Sequence, residues 1–385
     1  MTAIETDTGA TTATAVDPYG PPADEMKWLD IARELAPSFA ATAAELDERA
    51  ELPLDNLRAI QESGLDTAPL GKEFGGGGMS YRTFGPVLAE ITKACPATGC
   101  IWLMHAGAAT TLTSLSPQPV AEFYANEWLG GKRFANALSE PTSGNLFLVP
   151  LQSAEPTDGG WVLDGAKRFV SGCEIADHLL VNALVDGAPS FFGTEADETV
   201  TPIPIWDTMG MRATRSQLLS FEGSLLRTER RCRAPEPGDQ NLIGLGLPWL
   251  SLGIARAAYD ALVSHAQQRV IPSIDAPLSH MQWVQFDVAE AAVSIRSAEG
   301  LAARTMWLAD QRSPEAMSAA IDAKLLANQV AKSVAELGVR IGGASGYLRT
   351  SSIQRHFRDA QAGGLMAYSV ELCRDWIGKS ELGVE

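Results

Sequence analysis

The apolar residues change period twice along this 385-residue chain, and that limits the architectures open to it. From Met26 to about Leu129 they recur every three to four positions, as in Trp28, Ile31, Ala32 and Leu35, which is helical spacing. A second helix fits Leu54 to Ser63, and two apolar helices run up to about Ser116 after the glycine-rich loop Gly71–Ser80. From about Gly130 to Pro235 short alternating runs replace this period. Trp161–Leu163, Arg168–Ser171, His178–Leu184 and Gln217–Phe221 read as strands, separated by turns such as Asp158-Gly-Gly and Asp164-Gly. From about Leu247 the helical period returns on three long faces: Leu250/Ile254/Ala257/Leu262, Val284/Val288/Ala291/Ile295/Ala298 and Leu326/Val330/Val334/Leu337. The pattern predicts an α+β chain: a helical domain over 26–129, a small β domain over 130–236 and a four-helix-type bundle over 237–385. Residues 1–25, rich in Thr, Ala, Pro and Gly, read as a disordered tail.

Composition narrows the function. With 45% hydrophobic residues the chain can bury a large core, and a net charge of −17 repels nucleic-acid backbones. No apolar stretch reads as a membrane span, and the N-terminus lacks the basic and apolar regions of a signal peptide. Five cysteines without regular spacing (Cys95, Cys100, Cys173, Cys232, Cys373) read as reduced thiols in a cytoplasmic protein. No His, Asp or Glu cluster has metal-ligand spacing. Gly342-Gly-Ala-Ser-Gly346 lacks the Lys that would make it a phosphate-cradling loop.

Several short motifs then fall in one order: Lys72-Glu-Phe-Gly-Gly-Gly-Gly-Met-Ser80, Ala137-Leu-Ser-Glu-Pro141, Gly165-Ala-Lys-Arg-Phe-Val-Ser171, Asp207-Thr-Met-Gly-Met-Arg212, Gly342-Gly343 and Arg358-Asp-Ala360. Together they resemble the signatures of the acyl-CoA dehydrogenase superfamily, whose helical–β–helical order matches this chain. The resemblance implies a flavin, FAD with FMN as the alternative, and a homodimer or homotetramer with cofactor sites at subunit interfaces. It also implies that Leu138 and Ser139 approach the flavin pyrimidine, that Phe169 supplies an aromatic face where the family has Trp, and that the Ser171 hydroxyl faces N5. Arg269, Gly342, Gly343 and Ser369 correspond to positions that hold the rest of the cofactor. Val339 stands where the family has Gln.

The same resemblance exposes a gap. The family's catalytic glutamate falls at Ala367, and a second position that can hold it lies within Ile243–Trp249, which has no acid. Classical dehydrogenation needs that carboxylate as general base. The superfamily's monooxygenases lack it too, and use reduced flavin and oxygen, supplied in many cases by a partner reductase. Their histidine position is Met366 here. His105, on an apolar helix where the family's site-lining helix lies, and Tyr368, beside the lost base, are the remaining groups suited to proton work. Glu371, a turn beyond Ala367, reads as an exposed helix residue, His356 as a subunit-interface residue, and Arg212 equally as a ligand contact or a turn-stabilising ion pair. Three functions follow: an oxygen-using oxidoreductase acting on a small-molecule metabolite or its thioester, an acyl-thioester dehydrogenase with a relocated base, or a non-catalytic binding subunit.

Overall fold

The computed structural model describes residues 17–141, 148–273 and 275–384. Five helices come first: α1 (Met26–Arg49), α2 (Leu54–Glu62), α3 (Tyr81–Ala94), α4 (Pro96–Leu115) and α5 (Gln118–Leu129). α1 buries Leu29, Ala32, Phe39 and Ala43, a face displaced from the Trp28/Ile31 stripe. Both stripes have helical spacing, and only packing chooses between them. α4 is buried on almost every side, because α3, α5 and α6 enclose it. The stretch expected as a tail lies outside the described residues only up to position 16. Tyr19 packs edge-on against Trp307 at 5.8 Å, and Glu25 accepts hydrogen bonds from the Ser80 backbone and hydroxyl at 3.0 and 2.7 Å. Residues 17–25 are therefore part of the fold.

The middle of the chain forms two sheets from β1 (Phe134–Ala137), β2 (Glu155–Thr157), β3 (Gly160–Val170), β4 (His178–Val185), β5 (Ala188–Glu195), β6 (Val200–Ile203) and β7 (Gln217–Arg227). Their orders are β1-β4-β5 and β2-β3-β7-β6. The strand period of two sorts β1 cleanly. Ala135 and Ala137 enter the core between the sheets, whereas Phe134 and Leu138 face the helices. β3 slips register against β7 between Lys167 and Val170, and within that slip Phe169 takes a φ of +60°. Such a bulge re-aims side chains and leaves them out of the ladder.

The last third is a bundle of α6 (Leu242–Gln268), α7 (Gln282–Asp310) and α8 (Ala316–Tyr347), closed by α9 (Ser352–Ala360) and α10 (Val370–Leu382). The short pair β8 (Val270–Ile271) and β9 (Ala276–Pro277) links α6 to α7. The Asn241 side chain caps α6 by accepting from the Ile243 and Gly244 amides. α6 and α8 run parallel, since Ser251 donates to Asn328 at 2.7 Å and Gly338 packs near Leu262. By length and composition α6 is apolar enough to cross a bilayer, which the sequence reading did not recognise. Its most apolar window is 89% buried, so here it is the central helix of the bundle.

The 207–212 turn staples the three regions together. Met211 donates its amide to Asp359 at 2.7 Å, Arg358 pairs with Asp47, and Arg212 donates to the Asp47 carbonyl at 2.9 Å. A Cβ at Gly210 would lie 2.4 Å from the Arg358 carbonyl oxygen, so only glycine permits this docking. Arg212 is thus a structural tie between α1 and the β domain. His356 is buried within the chain itself instead of at a subunit surface, and burial, with Arg355 and Arg358 nearby, pushes it down to about 3.

Candidate active site

A cavity of about 860 Å³ opens where α4, β1, β4 and the first turns of α6 and α8 converge. Its inner wall is apolar, with Met104, Leu138, Leu180, Ile243, Met317 and Trp376. Ala367 and Tyr368 also line it. Their segment is held from behind. The Lys324 ammonium, 1% exposed, donates to the Gly363 carbonyl at 2.7 Å. Burial pushes that lysine down to about 8. A Cβ at Gly363 would sit 2.6 Å from both Ser251 Oγ and Asn328 Oδ1, so the turn packs flush on α6 and α8. Tyr368 then takes a φ of +56°, its ring lies edge-on to Trp376 at 5.8 Å, and burial raises its hydroxyl to about 12. A left-handed conformation at a bulky non-glycine residue is uncommon and clusters at functional sites.

Ala367 and Ile243, the first residue of the stretch that could hold the family's second glutamate, both line this wall. A Cβ at Gly244 would lie 3.5 Å from the Tyr368 ring and 2.6 Å from the Met317 methyl. Neither Ala367 nor the 243–249 stretch carries a carboxylate, and Met317 fills the space. Glu371 is exposed in the first turn of α10 and does not line the cavity. The acids that do line it are Glu73, Asp239 and Asp310. Asp310 is held by Arg82 at 2.6 Å and by the Tyr81 amide at 2.7 Å, while burial raises its carboxyl. Asp239 receives both guanidinium arms of Arg233 at 2.6 and 3.0 Å, which lowers it. Glu73 lies on the exposed rim.

His105 does not reach the cavity. It is 1% exposed, its Nδ1 accepts the Phe134 amide at 3.0 Å, and its Nε2 lies 3.3 Å from Asp66 Oδ2. A ring nitrogen that accepts an amide carries no proton, so the imidazole is neutral, in keeping with the lowering that burial imposes. Arg133 holds the other Asp66 oxygen at 2.8 Å. One position earlier on α4, Met104 lines the cavity instead. His105 is a core residue joining α4 to β1.

The residues that the resemblance assigns to a flavin divide in two. Leu138, Ser139, Phe169 and Ser171 come together, because the Arg168 amide donates to the Ser139 carbonyl at 2.7 Å across the two loops. Beneath them Lys167 and Glu140 form a fully buried pair at 2.7 Å. Phe169 is 51% exposed, with the Arg168 guanidinium 4.6 Å over its ring. An exposed, strained aromatic face on a bulge fits a planar ring system. Arg269 and Gly343 lie elsewhere, at the far ends of α6 and α8. Those helices begin at the cavity and run roughly 40 Å at 1.5 Å per residue, too far for one chain to bring both sets to one flavin. Gly343 has a φ of +52° and open space around its Cβ position, whereas Gly342 is buried against Ile353. Ser369 is buried and caps α10 by accepting from the Leu372 amide at 3.4 Å, which explains a serine there without a cofactor.

Asn136 and Arg312 are among the lining residues that escaped the sequence reading. Asn136 shares the Phe134 face of β1, two residues before Leu138, and places a carboxamide in the wall, its Oδ1 buried without a hydrogen-bond partner among the described residues. Its place in the strand period was the available signal. Arg312, exposed with a φ of +51° in the turn between α7 and α8, had no sequence signal. Among the described residues all five cysteines are free and buried, and no group of His, Cys, Asp or Glu could hold a metal.

A helical domain, a two-sheet β domain and a bundle around an apolar cavity, with an aromatic platform beside it, define a flavin-dependent oxidoreductase. The chain belongs to the acyl-CoA dehydrogenase superfamily: residues 22–118 match the family's N-terminal domain and residues 245–382 its C-terminal domain. It is 29% identical over 342 residues to the short-chain specific acyl-CoA dehydrogenase of Bos taurus mitochondria, covering 83% of this chain and 80% of that protein. Butyryl-CoA dehydrogenase from Megasphaera elsdenii shares the fold with a TM-score of 0.87 at 22% identity, over 94% of this chain and 98% of that one. FMN-bound TdsC from Paenibacillus sp. A11-2, a dibenzothiophene monooxygenase, superposes with a TM-score of 0.83 at 25% identity, over 93% and 97%.

Proposed function

We propose that this chain is an oxygen-using flavin oxidoreductase of the monooxygenase type, not an α,β-dehydrogenase. The observation that carries this reading is the cavity wall at Ala367 and Ile243, where apolar side chains stand at the position of the family's base and at the start of the 243–249 stretch that can hold it instead. The lining acids are neutralised by arginines or stand on the rim, and Glu371 does not line the cavity, so among the described residues no carboxylate is placed for α-proton removal. The flavin is FAD, or FMN as in TdsC, received in reduced form from a partner reductase. Its ring binds beside Phe169 and Leu138, and the protein supplies orientation and exclusion of water while the redox chemistry is the cofactor's.

The rim favours a phosphate-bearing substrate handle. Of the two lining arginines, Arg233 is paired with Asp239, whereas the Arg312 guanidinium makes no hydrogen bond or ion pair among the described residues. A guanidinium left open suits a phosphate, and a phosphopantetheine thioester supplies one. Because Arg269 and Gly343 lie far from Phe169, they serve a flavin only from another subunit, which supports a homodimer or homotetramer. Exposed Trp283, Phe286 and Val293 on α7 suit such contacts.

The test is oxygen uptake by the protein with reduced FAD or FMN, stimulated by an aromatic or thioester substrate. Anaerobic bleaching of bound oxidised flavin by butyryl-CoA at a dehydrogenase rate would reject this reading in favour of a relocated base. Protein that binds no flavin would leave the non-catalytic role.

A further inference from the structure

Three hydroxyls run in a line behind the aromatic platform. Ser171 Oγ lies 2.8 Å from Ser216 Oγ, and Ser216 Oγ lies 2.8 Å from Thr214 Oγ1. Thr214 Oγ1 in turn donates to the Met211 carbonyl at 2.8 Å. All three residues are buried. Each hydroxyl has one proton, and a carbonyl has none to give. The Thr214 proton is therefore committed to Met211, so at the next contact Thr214 can only accept, and Ser216 must donate to it. Ser216 then has no proton left for Ser171, and Ser171 must donate inward. Reversing the Ser171–Ser216 bond would leave Ser216 and Thr214 facing lone pair to lone pair at 2.8 Å. The Cys100 sulfur lies 3.9 Å from Ser171 Oγ, and burial raises that thiol to about 12, so it stays protonated and keeps an S–H that an accepting Ser171 can receive.

Towards the flavin, then, the Ser171 side chain offers an acceptor and no proton. Oxidised flavin presents a bare N5 that needs a donor, whereas reduced flavin presents N5–H, which needs an acceptor. We infer that the Thr214–Ser216–Ser171 relay makes this site select reduced over oxidised flavin, with the polarity of the Ser171 hydroxyl set by the two positioning residues behind it, Ser216 and Thr214. That polarity originates at Thr214, whose proton the Met211 carbonyl captures, and passes through Ser216 to Ser171. The inference rests on Ser171 facing N5, and it deepens the proposed function, since an enzyme handed reduced flavin gains by holding that form.

The experiment compares Ser216→Ala, Thr214→Val and Thr214→Ser with the parent, titrating each with oxidised and dithionite-reduced FMN and FAD, and measuring the midpoint potential of the bound flavin. The parent is expected to bind the reduced form about fivefold more tightly, the worth of one hydrogen bond. That fivefold preference corresponds to a potential raised by about 20 mV for a two-electron couple. Ser216→Ala and Thr214→Val each free the Ser171 proton to point outward and should abolish the preference, whereas Thr214→Ser keeps the relay and the preference. An unchanged ratio in both Ser216→Ala and Thr214→Val, in folded protein by circular dichroism, overturns the inference. So does a parent that prefers oxidised flavin. Absence of oxygen uptake with the expected ratios intact would reject the monooxygenase reading and leave the relay standing, whereas a chain that binds no flavin removes both.

Discussion

Replacing Lys167 by Met isolates the interaction that holds the Ser139 and Phe169 loops together. Lys167 and Glu140 are both fully buried, 2.7 Å apart, with Asn182 taking a second lysine hydrogen bond at 2.9 Å. Glu140 also accepts the Leu151 and Gln152 amides at 2.8 and 3.3 Å. Methionine fills the volume of the lysine stem but leaves a carboxylate in the core without its cation. Breaking a buried pair from one side costs about 3–5 kcal/mol, because the remaining charge is uncompensated. That is a large part of the 5–15 kcal/mol or so that holds a typical domain together. The intact pair is worth much less than this on net, since its attraction is offset by desolvation. The double variant Glu140→Gln/Lys167→Met should therefore recover most of the loss. Urea unfolding followed by tryptophan fluorescence and by circular dichroism measures both changes. A loss below about 1 kcal/mol in Lys167→Met, or a double variant as unstable as the single one, would refute the reasoning. The same variant should weaken flavin binding, because Glu140 follows Ser139 directly and Lys167 precedes the bulge at Phe169.

Ala367→Glu places a carboxylate on the cavity wall and should confer anaerobic bleaching of bound flavin by butyryl-CoA, about two to four orders of magnitude faster than the parent, as general-base catalysis contributes. Arg312→Gln should weaken coenzyme A about tenfold in calorimetric titration while leaving dephosphorylated pantetheine unchanged, the loss of one charge-assisted hydrogen bond. His356 sits at about 3 in the fold, below its ordinary value, so the unfolded chain takes up a proton that the native chain does not as pH falls below about 6.5. Stability is therefore lost on acidification from that point, by at most about 1.4 kcal/mol per pH unit, and His356→Asn should flatten this limb of the urea-midpoint profile. Asp359, raised to about 6 by burial, acts in the opposite sense between its unfolded value and about 6, and becomes visible as a rise in stability on acidification once His356 is gone.

Much of the architecture was legible because local periodicity survives in it. The three faces read over 250–262, 284–298 and 326–337 lie on α6, α7 and α8, and the strands read around 161–171, 178–184 and 217–221 lie on β3, β4 and β7. α1 shows where such reading fails, since two overlapping stripes satisfied the same period and packing took the one through Leu29 and Phe39. His105 shows a second kind of failure. Its neighbour Met104 faces the cavity, and a difference of one residue turns a helix by about 100°, which spacing alone does not orient. Arg312 was invisible because its position depends on a turn between two long helices.

The sequence by itself determined the order of domains, the motifs whose resemblance to the family assigns Phe169, Ser139 and Leu138 to a flavin, and the absence of an acid at position 367 and in 243–249. These are local facts, written in residue identity and short-range period. Only the tertiary structure decided that Ala367 and Ile243 share one wall, that Arg269 and Gly343 lie at the opposite end of the bundle, and that Ser171 is backed by Ser216 and Thr214. Each of these joins residues far apart in the chain through helix direction and strand register, and neither is set until the elements pack against one another.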